Sequence, residues 1–459
     1  MENLYQKYKP FYKDSLRLAI PVVISQLGHP LVQTADSIIV GHFAGTIPLA
    51  AVSLVNSIFG MAMVIGMGIS YGITPLIAQH NGRDEFNECG RLLSNSLLIN
   101  IITGVLLFVS ISYGTMHLIG HLDQTPAVVQ QAKPYLFLMG ISLIPLLIFN
   151  TFKQFAEGLG FTKQAMLISI WGNILNICLG IIFVKGMFGI KPMGIRGVGY
   201  STLIDRCTMA AVMGFYVFRS RHFRKYLVNF AVKNIDRLRS SKILKIGGPV
   251  AMQYIFEVSA FSGAAIMIGT ISPIAQAAHQ VAISLASLTY MAASGISAAA
   301  AIKSGNFFGA RKHQELRLSA ISSYHIAIVF MAVAALVFTF GNHLLPWIYT
   351  SDKNVIAIAS QLLIIAAFFQ LFDGTQVVGL GVLRGMGDVN VPTFITFLAY
   401  WVLGLPVGYI IGIKFHMGVS GVWYGLVLGL LTSSLLLFIR FQLISKKHRY
   451  NVPVVIARD

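Results

Sequence analysis

Four carboxylates stand inside long apolar runs of this chain: Asp36, Asp205, Glu257 and Asp373. The starkest is Glu257. Between Lys245 and Lys303 no other Asp, Glu, Lys or Arg occurs. A carboxylate away from water is costly unless a proton, a cation or hydrogen bonds neutralise it. At the centre of a bilayer the cost is at least ~2.5 kcal/mol. The chemistry open to such a group is reversible binding of a proton, a small cation or an organic cation. Bond-breaking catalysis is not indicated. His29, His42, His279 and His325 are dispersed, and no metal-spaced cluster, nucleophile elbow or phosphate loop is present.

The neighbours sharpen this reading. Gln253 lies one helical turn before Glu257. Asp373 has Gln370 and Gln376 at three-residue steps, with Phe369 and Phe372 beside it. Asp36 shares a helical face with Gln33 and His29, and Pro30 frees the carbonyl of Gln26 from its helical bond. Asp205 is followed directly by Arg206. Adjacent helical residues point about 100° apart, so the two are expected to pair with other helices. Glu257, Asp373 and Asp36 are therefore candidates for binding a coupling ion, with Na⁺ possible at Glu257 and Asp373. Gln33, His29, Gln253, Phe369, Gln376 and Asp205 are candidates for the substrate cavity. Tyr254, Phe256, Phe261, Phe368 and Phe369 could offer ring faces to a lipophilic cation. Two carboxylates in one low-dielectric cavity repel until something positive is taken up, and competition for that place is the simplest basis for exchange. Lys153 and Glu157, one turn apart at the end of their run, read as a solvated edge pair.

The elements that must position these groups are long and apolar. Of 459 residues, 56% are hydrophobic and 11% charged, against about a quarter charged in soluble domains; mean hydropathy is +0.73. Twelve apolar spans are expected, near 16–40, 48–74, 92–116, 134–155, 165–187, 197–218, 246–270, 275–302, 319–341, 355–383, 393–413 and 419–441. The alternating strands of a membrane β-barrel are not seen. The expected class is an all-α membrane protein. The first run carries Pro21 and Pro30 and reads as an uncleaved helix. With the N-terminus in the cytoplasm, 27 Lys and Arg fall on the inner side and 6 on the outer, which predicts cytoplasmic termini. The net charge of +18 is thus topogenic, and no nucleic-acid partner is expected. Cys89, Cys178 and Cys207 have no metal spacing.

The halves repeat. "EGLGFTKQAM" at 157–166 parallels "RGMGDVNVP" at 384–392, and Gly82 answers Gly309, both at a shift of 227. Pro21 answers Pro249 and Gly41 answers Gly269 at 228; Gly194 and Gly197 answer Gly418 and Gly421 at 224. Six spans per half make the repeats parallel, with a pseudo-two-fold axis along the membrane normal. The expected organisation is an N-terminal six-helix lobe (1–218), a basic cytoplasmic linker (219–245), a C-terminal six-helix lobe (246–441) and a cytoplasmic tail (442–459). In the linker, Tyr226, Leu227, Phe230 and Ala231 could form an amphipathic segment lying on anionic headgroups, but the plain reading is a linker between the two halves.

The stretches "LAIPVVISQLGHPLVQTADSIIVGHFAG", "GGPVAMQYIFEVSAFS", "FDGTQVVGLGVLRGMGDVNVP" and "FAEGLGFTKQ" resemble the multidrug and toxic compound extrusion (MATE) family, in its NorM-like branch. The resemblance spans nearly the whole chain. It implies two six-helix lobes and export of amphipathic organic cations in exchange for Na⁺ or H⁺ by alternating access, with acids at Asp36, Glu257 and Asp373 binding the coupling ion. It also implies a multi-pass cell-membrane protein, the inner membrane in a Gram-negative cell. No enzymatic activity and no cofactor are expected, only the coupling ion; small-molecule cations and the bilayer are the expected partners, and a monomer the expected state. The alternative is a lipid-linked saccharide flippase of the same superfamily, whose phosphates would call for basic lining residues; only Arg206 lies mid-span. A channel fits less well, since it needs no half-chain repeat.

Overall fold

The computed structural model describes residues 4–115 and 125–450; the end of the expected tail, 451–459, lies outside them. Among the described residues the chain forms twelve long helices and no strand. They are α1 Leu4–Phe43, α2 Thr46–Gly82 with a break at Tyr71–Gly72, α3 Phe86–Gly114, α4 Pro126–Gly158, α5 Thr162–Lys185 and α6 Ile195–Arg219. After the linker come α7 Arg237–Gly269, α8 Pro273–Gly309, α9 His313–Phe340, α10 Lys353–Gly385, α11 Asn390–Lys414 and α12 Gly418–Tyr450. Eleven are long and apolar enough to cross a membrane by composition. The exception is α6. Its 25 residues reach about 37 Å, but the inward-turned Asp205 and Arg206 interrupt its apolar character.

Local signals set the ends. Ser272 caps α8 by accepting the Ala275 N–H at 3.0 Å, ahead of Pro273. Asp352 caps α10 by accepting the Asn354 N–H at 2.9 Å. Helix α1 runs unbroken through Pro21 and Pro30, as membrane helices can when neighbours satisfy the freed carbonyls. Helix α11 contains π turns at Leu398–Gly404 and Ile410–Lys414; these often mark functional positions, and Tyr400 stands in the first.

The repeat is visible in the backbone. Gly160 and Gly387 take φ of +86° and +81°, Gly194 and Gly418 +55° and +64°, and Asp84 and Arg311 +58° and +56°. Each pair joins the same helices of its half. A left-handed turn favours glycine, which explains why the glycines carried the sequence match.

Tertiary packing gathers the chain into two compact units: Ile24–Ile255, and Met1–Val23 with Phe256–Asp459. Helices α1 and α7 contribute to both. The first unit has a core that includes Val52, Phe59, Tyr135 and Leu143. The second centres on Ala260, Leu285, Ala366, Trp423 and Leu430. In the second unit α8 and α10 meet at backbone distance. Ser297 Oγ donates to the Val377 carbonyl at 2.6 Å, and a Cβ on Gly381 or Gly385 would strike the Ser297 or Ala301 carbonyl.

The linker is bolted to the first unit. Asn95 donates to the Asn234 carbonyl at 3.0 Å and accepts from the Asp236 N–H and Ser240 Oγ, each at 2.9 Å. Tyr226 Oη donates to Asn81 Oδ1 at 2.8 Å. Arg239 bonds both Glu88 and Asp236. These four residues do not form an apolar face turned to headgroups. Tyr226 is buried, Phe230 packs its ring 5.0 Å from Phe218, and Leu227 and Ala231 are half-buried. The pattern mistook residues that close the linker onto α3 and α6 for residues that meet lipid.

Candidate functional site

In the unit that holds Phe256–Asp459, Glu257 on α7 and Asp373 on α10 are both buried, at 5% and 3% exposure. Neither forms an ion pair among the described residues. The two carboxylates interact electrostatically with each other, and both act on Tyr400. Tyr290 on α8 donates its hydroxyl to Glu257 Oε2 at 3.4 Å, a weak bond by length. The charge of Arg384 reaches Glu257 as well. Beside Asp373, Gln376 accepts the Tyr400 hydroxyl at 2.8 Å, and Gln370 accepts the Thr289 hydroxyl at 2.9 Å. Their Nε2 groups are buried and make no hydrogen bond among the described residues. These amides leave donors beside the acids for water or a polar group of a substrate.

Aromatic rings back this cluster. Phe261 lies 6.0 Å from Tyr400 and 6.3 Å from Phe369, and Phe369 lies 5.9 Å from Trp423. Trp423 is held by its Nε1 donating to His279 Nδ1 at 3.1 Å. Of the rings expected to serve a cation, Phe261 and Phe369 join the cluster. Phe368 is 67% exposed, on the outer face of α10, and Tyr254 pairs with Tyr71 in the other unit. Gln253, one turn before Glu257, is buried.

The unit Ile24–Ile255 brings together Asp36, Asp205 and Arg206, all at most 5% exposed, with His29 and Gln33 half-buried along α1. Arg206 donates to Ser142 Oγ on α4 at 2.6 Å and lies 4.8 Å from the centre of the Phe59 ring on α2. Asp205 faces α5, where a Cβ on Gly172 would come 2.6 Å from its Oδ1. The expectation that these neighbours pair with different helices holds. The charge of Arg206 acts on Asp36, Asp205 and Tyr135. Asp36 Oδ1, Asp205 Oδ1, Asn176 Oδ1 and Tyr135 Oη are buried without a hydrogen bond among the described residues.

Lys153 and Glu157 are not a solvated edge pair. They are 7% and 2% exposed. Lys153 Nζ donates to Ser25 Oγ at 2.7 Å and lies 3.9 Å from Glu157 Oε1, and Ser25 donates on to Ser169 at 3.0 Å. The reason is the packing of α1 and α5, which bring Ser25 and Ser169 to the end of α4.

The two units therefore differ in charge. Asp36, Asp205 and Glu157 share their interior with Arg206 and Lys153. Among the described residues Glu257 and Asp373 have no buried basic partner bonded to them; the buried Lys303 is engaged with the Phe11 carbonyl and Ser15. The repeat does not copy the acids: 228 residues before Glu257 stands His29, and 227 before Asp373 stands Leu146. Sequence reasoning missed Tyr290, Tyr400 and Trp423. Each is a polar-tipped ring in an apolar run, and Tyr400 and Trp423 stand directly beside a second such ring, Trp401 and Tyr424, a weak but readable signal.

Comparison with known proteins agrees with this architecture. The sequence profile described as MatE matches residues 21–182 and, a second time, 249–410, so one pattern recurs at the 228-residue shift. The multidrug resistance protein MdtK of Yersinia pseudotuberculosis serotype O:1b (strain IP 31758) is 32% identical over 449 residues, covering 96% of this chain and 97% of that protein. The eukaryotic MATE transporter AtDTX14 superposes with a TM-score of 0.86 at 18% identity, covering 97% of this chain and 99% of that one. An outward-facing multidrug resistance MATE family transporter of the MOP superfamily gives 0.88 at 19% identity, covering 96% and 97%.

Proposed function

Since this chain belongs to the MatE family, we propose that it is a secondary antiporter that exports amphipathic organic cations in exchange for H⁺ or Na⁺. The observation that carries this reading is the pair Glu257 and Asp373: two buried, mutually repelling acids with no bonded basic partner, backed by an aromatic wall. Such a pair holds a positive charge when one is supplied and is destabilised when none is. A proton or Na⁺ and an organic cation then compete for one place. The bound ion drives lobe rearrangement only by the difference in its affinity for the two states. Asp36 is a coupling residue of the other unit, with Arg206 setting its charge environment; His29, Gln33, Gln253 and Asp205 serve substrate within that unit, and Phe369 and Gln376 within the unit of Glu257 and Asp373. The termini are cytoplasmic and the working unit is a monomer. The flippase alternative loses support from the pairing of buried cations: Arg206 and Lys153 stand among three acids, so no net positive lining is offered to phosphates.

The test is efflux of a fluorescent organic cation from proteoliposomes under imposed inward H⁺ or Na⁺ gradients. One gradient should drive efflux in the wild type. Glu257→Gln and Asp373→Asn should each lower the driven rate by roughly tenfold or more, the size expected when a charge that binds the driving ion is lost. Full gradient-driven efflux in both variants would refute the coupling role.

A further inference from the structure

The linker also has an outward surface. Val228, Val232 and Leu238 are 70%, 84% and 66% exposed. Around them Arg221, Arg224, Lys225, Lys233, Arg237, Lys242 and Lys245 are exposed as well. The linker contains one acid, Asp236. Its carboxylate accepts the Arg239 backbone N–H at 2.8 Å and the Arg239 guanidinium, which hold it below the usual carboxylate range. Glu88, the nearest acid of α3, is taken by Arg91 and Arg239. Among the described residues no acidic side chain pairs with any of the seven exposed cations. The same bonds that fix the linker to the first unit thus consume its negative charge and leave three aliphatic side chains held outward among cations.

We propose that this surface docks the anionic phospholipid headgroups of the leaflet beside it. The occupant follows from charge complementarity and from place. The linker joins the end of α6 at Arg219 to the start of α7 at Arg237, so it lies where two membrane helices leave the same face of the bilayer. Exposed Val and Leu flanked by Lys and Arg match the boundary between acyl chains and acidic headgroups. Topogenic charge alone accounts for the cations, but it does not call for aliphatic side chains turned outward between them.

The experiment places a bimane label on Val232→Cys, with the exposed Cys178 and Cys207 changed to Ser, in proteoliposomes of phosphatidylcholine with or without phosphatidylglycerol. Quenching by a nitroxide carried on the lipid reports contact. The surface predicts that phosphatidylglycerol raises quenching roughly threefold, and that high salt suppresses the rise by screening. Arg221→Gln, Arg224→Gln, Lys233→Gln and Arg237→Gln together should bring it down to the phosphatidylcholine level. Quenching indifferent to phosphatidylglycerol, or a rise that survives both salt and the four substitutions, would overturn the proposal. The salt arm uses the native charge set, so the result does not hinge on how the fourfold variant inserts.

Discussion

Lys153 shows what a buried charge demands of its surroundings. Its ammonium has two oxygen partners, Ser25 and Glu157. Lys153→Met would leave Glu157 buried and unpaired, which costs about 3–5 kcal/mol. The expected outcome is a clear drop in the melting temperature of the detergent-purified protein, and Lys153→Met with Glu157→Leu should recover most of it. Equal melting of the single and double variants would show that the pair is not coupled. Arg206 obeys the same logic with a different geometry: it needs the hydroxyl of Ser142 and the ring of Phe59 at once. Arg206→Lys keeps charge but loses the planar fork, so it should destabilise less than Arg206→Met yet not be silent. All four mid-span acids were legible from sequence because charge is rare enough there to place residue by residue. The Lys153–Glu157 misreading arose because one-turn spacing near a helix end looks solvent-facing. What the pair meets is Ser25 on α1, itself bonded to Ser169 on α5, and no local pattern records that long-range contact.

Helices α8 and α10 carry Tyr290 and Asp373, and their spacing sets whether those groups belong to one cluster. Gly381 and Gly385 let the two backbones touch. Gly381→Leu must push the helices apart, so it should impair folding or sharply reduce driven efflux, whereas Gly248→Ala, where a Cβ meets nothing within 4 Å, should be tolerated. Comparing yield and melting of the two variants checks this. The linker offers a pH prediction outside the membrane. Asp236 is held below its ordinary range by Arg239, so its contribution is fully present above the unfolded value and is lost as pH falls through the depressed one. Hydrogen exchange across 229–240 should be unchanged in its opening free energy from neutral pH down to about 5, and should rise only below about pH 4. Loosening near neutral pH would contradict the assignment. The helices themselves were readable because spans of ~20 apolar residues have few other uses. Helix α6 is the instructive case: as a span it was expected, although its buried Asp205 and Arg206 leave it, among the described long helices, the one that composition does not mark as membrane-crossing.

The molecule is built from one pattern used twice, and the duplicated glycines at 160 and 387 keep the same left-handed turn. Its chemistry is not duplicated. One unit mixes buried acids with buried bases, and the other keeps Glu257 and Asp373 without a bonded base. On the proposed function, that asymmetry assigns the mobile cation to the second unit, and it was only half visible beforehand, since the basic partners of Asp36 and Asp205 emerged from packing. The most direct measurement is ion release on substrate binding. Purified protein in weak buffer receives a cationic substrate while a pH dye and, separately, bound radioactive sodium are followed. Release of H⁺ or Na⁺ is expected from the wild type. The variant Glu257→Gln with Asp373→Asn should still fold but release neither. Undiminished release from that variant would contradict the account.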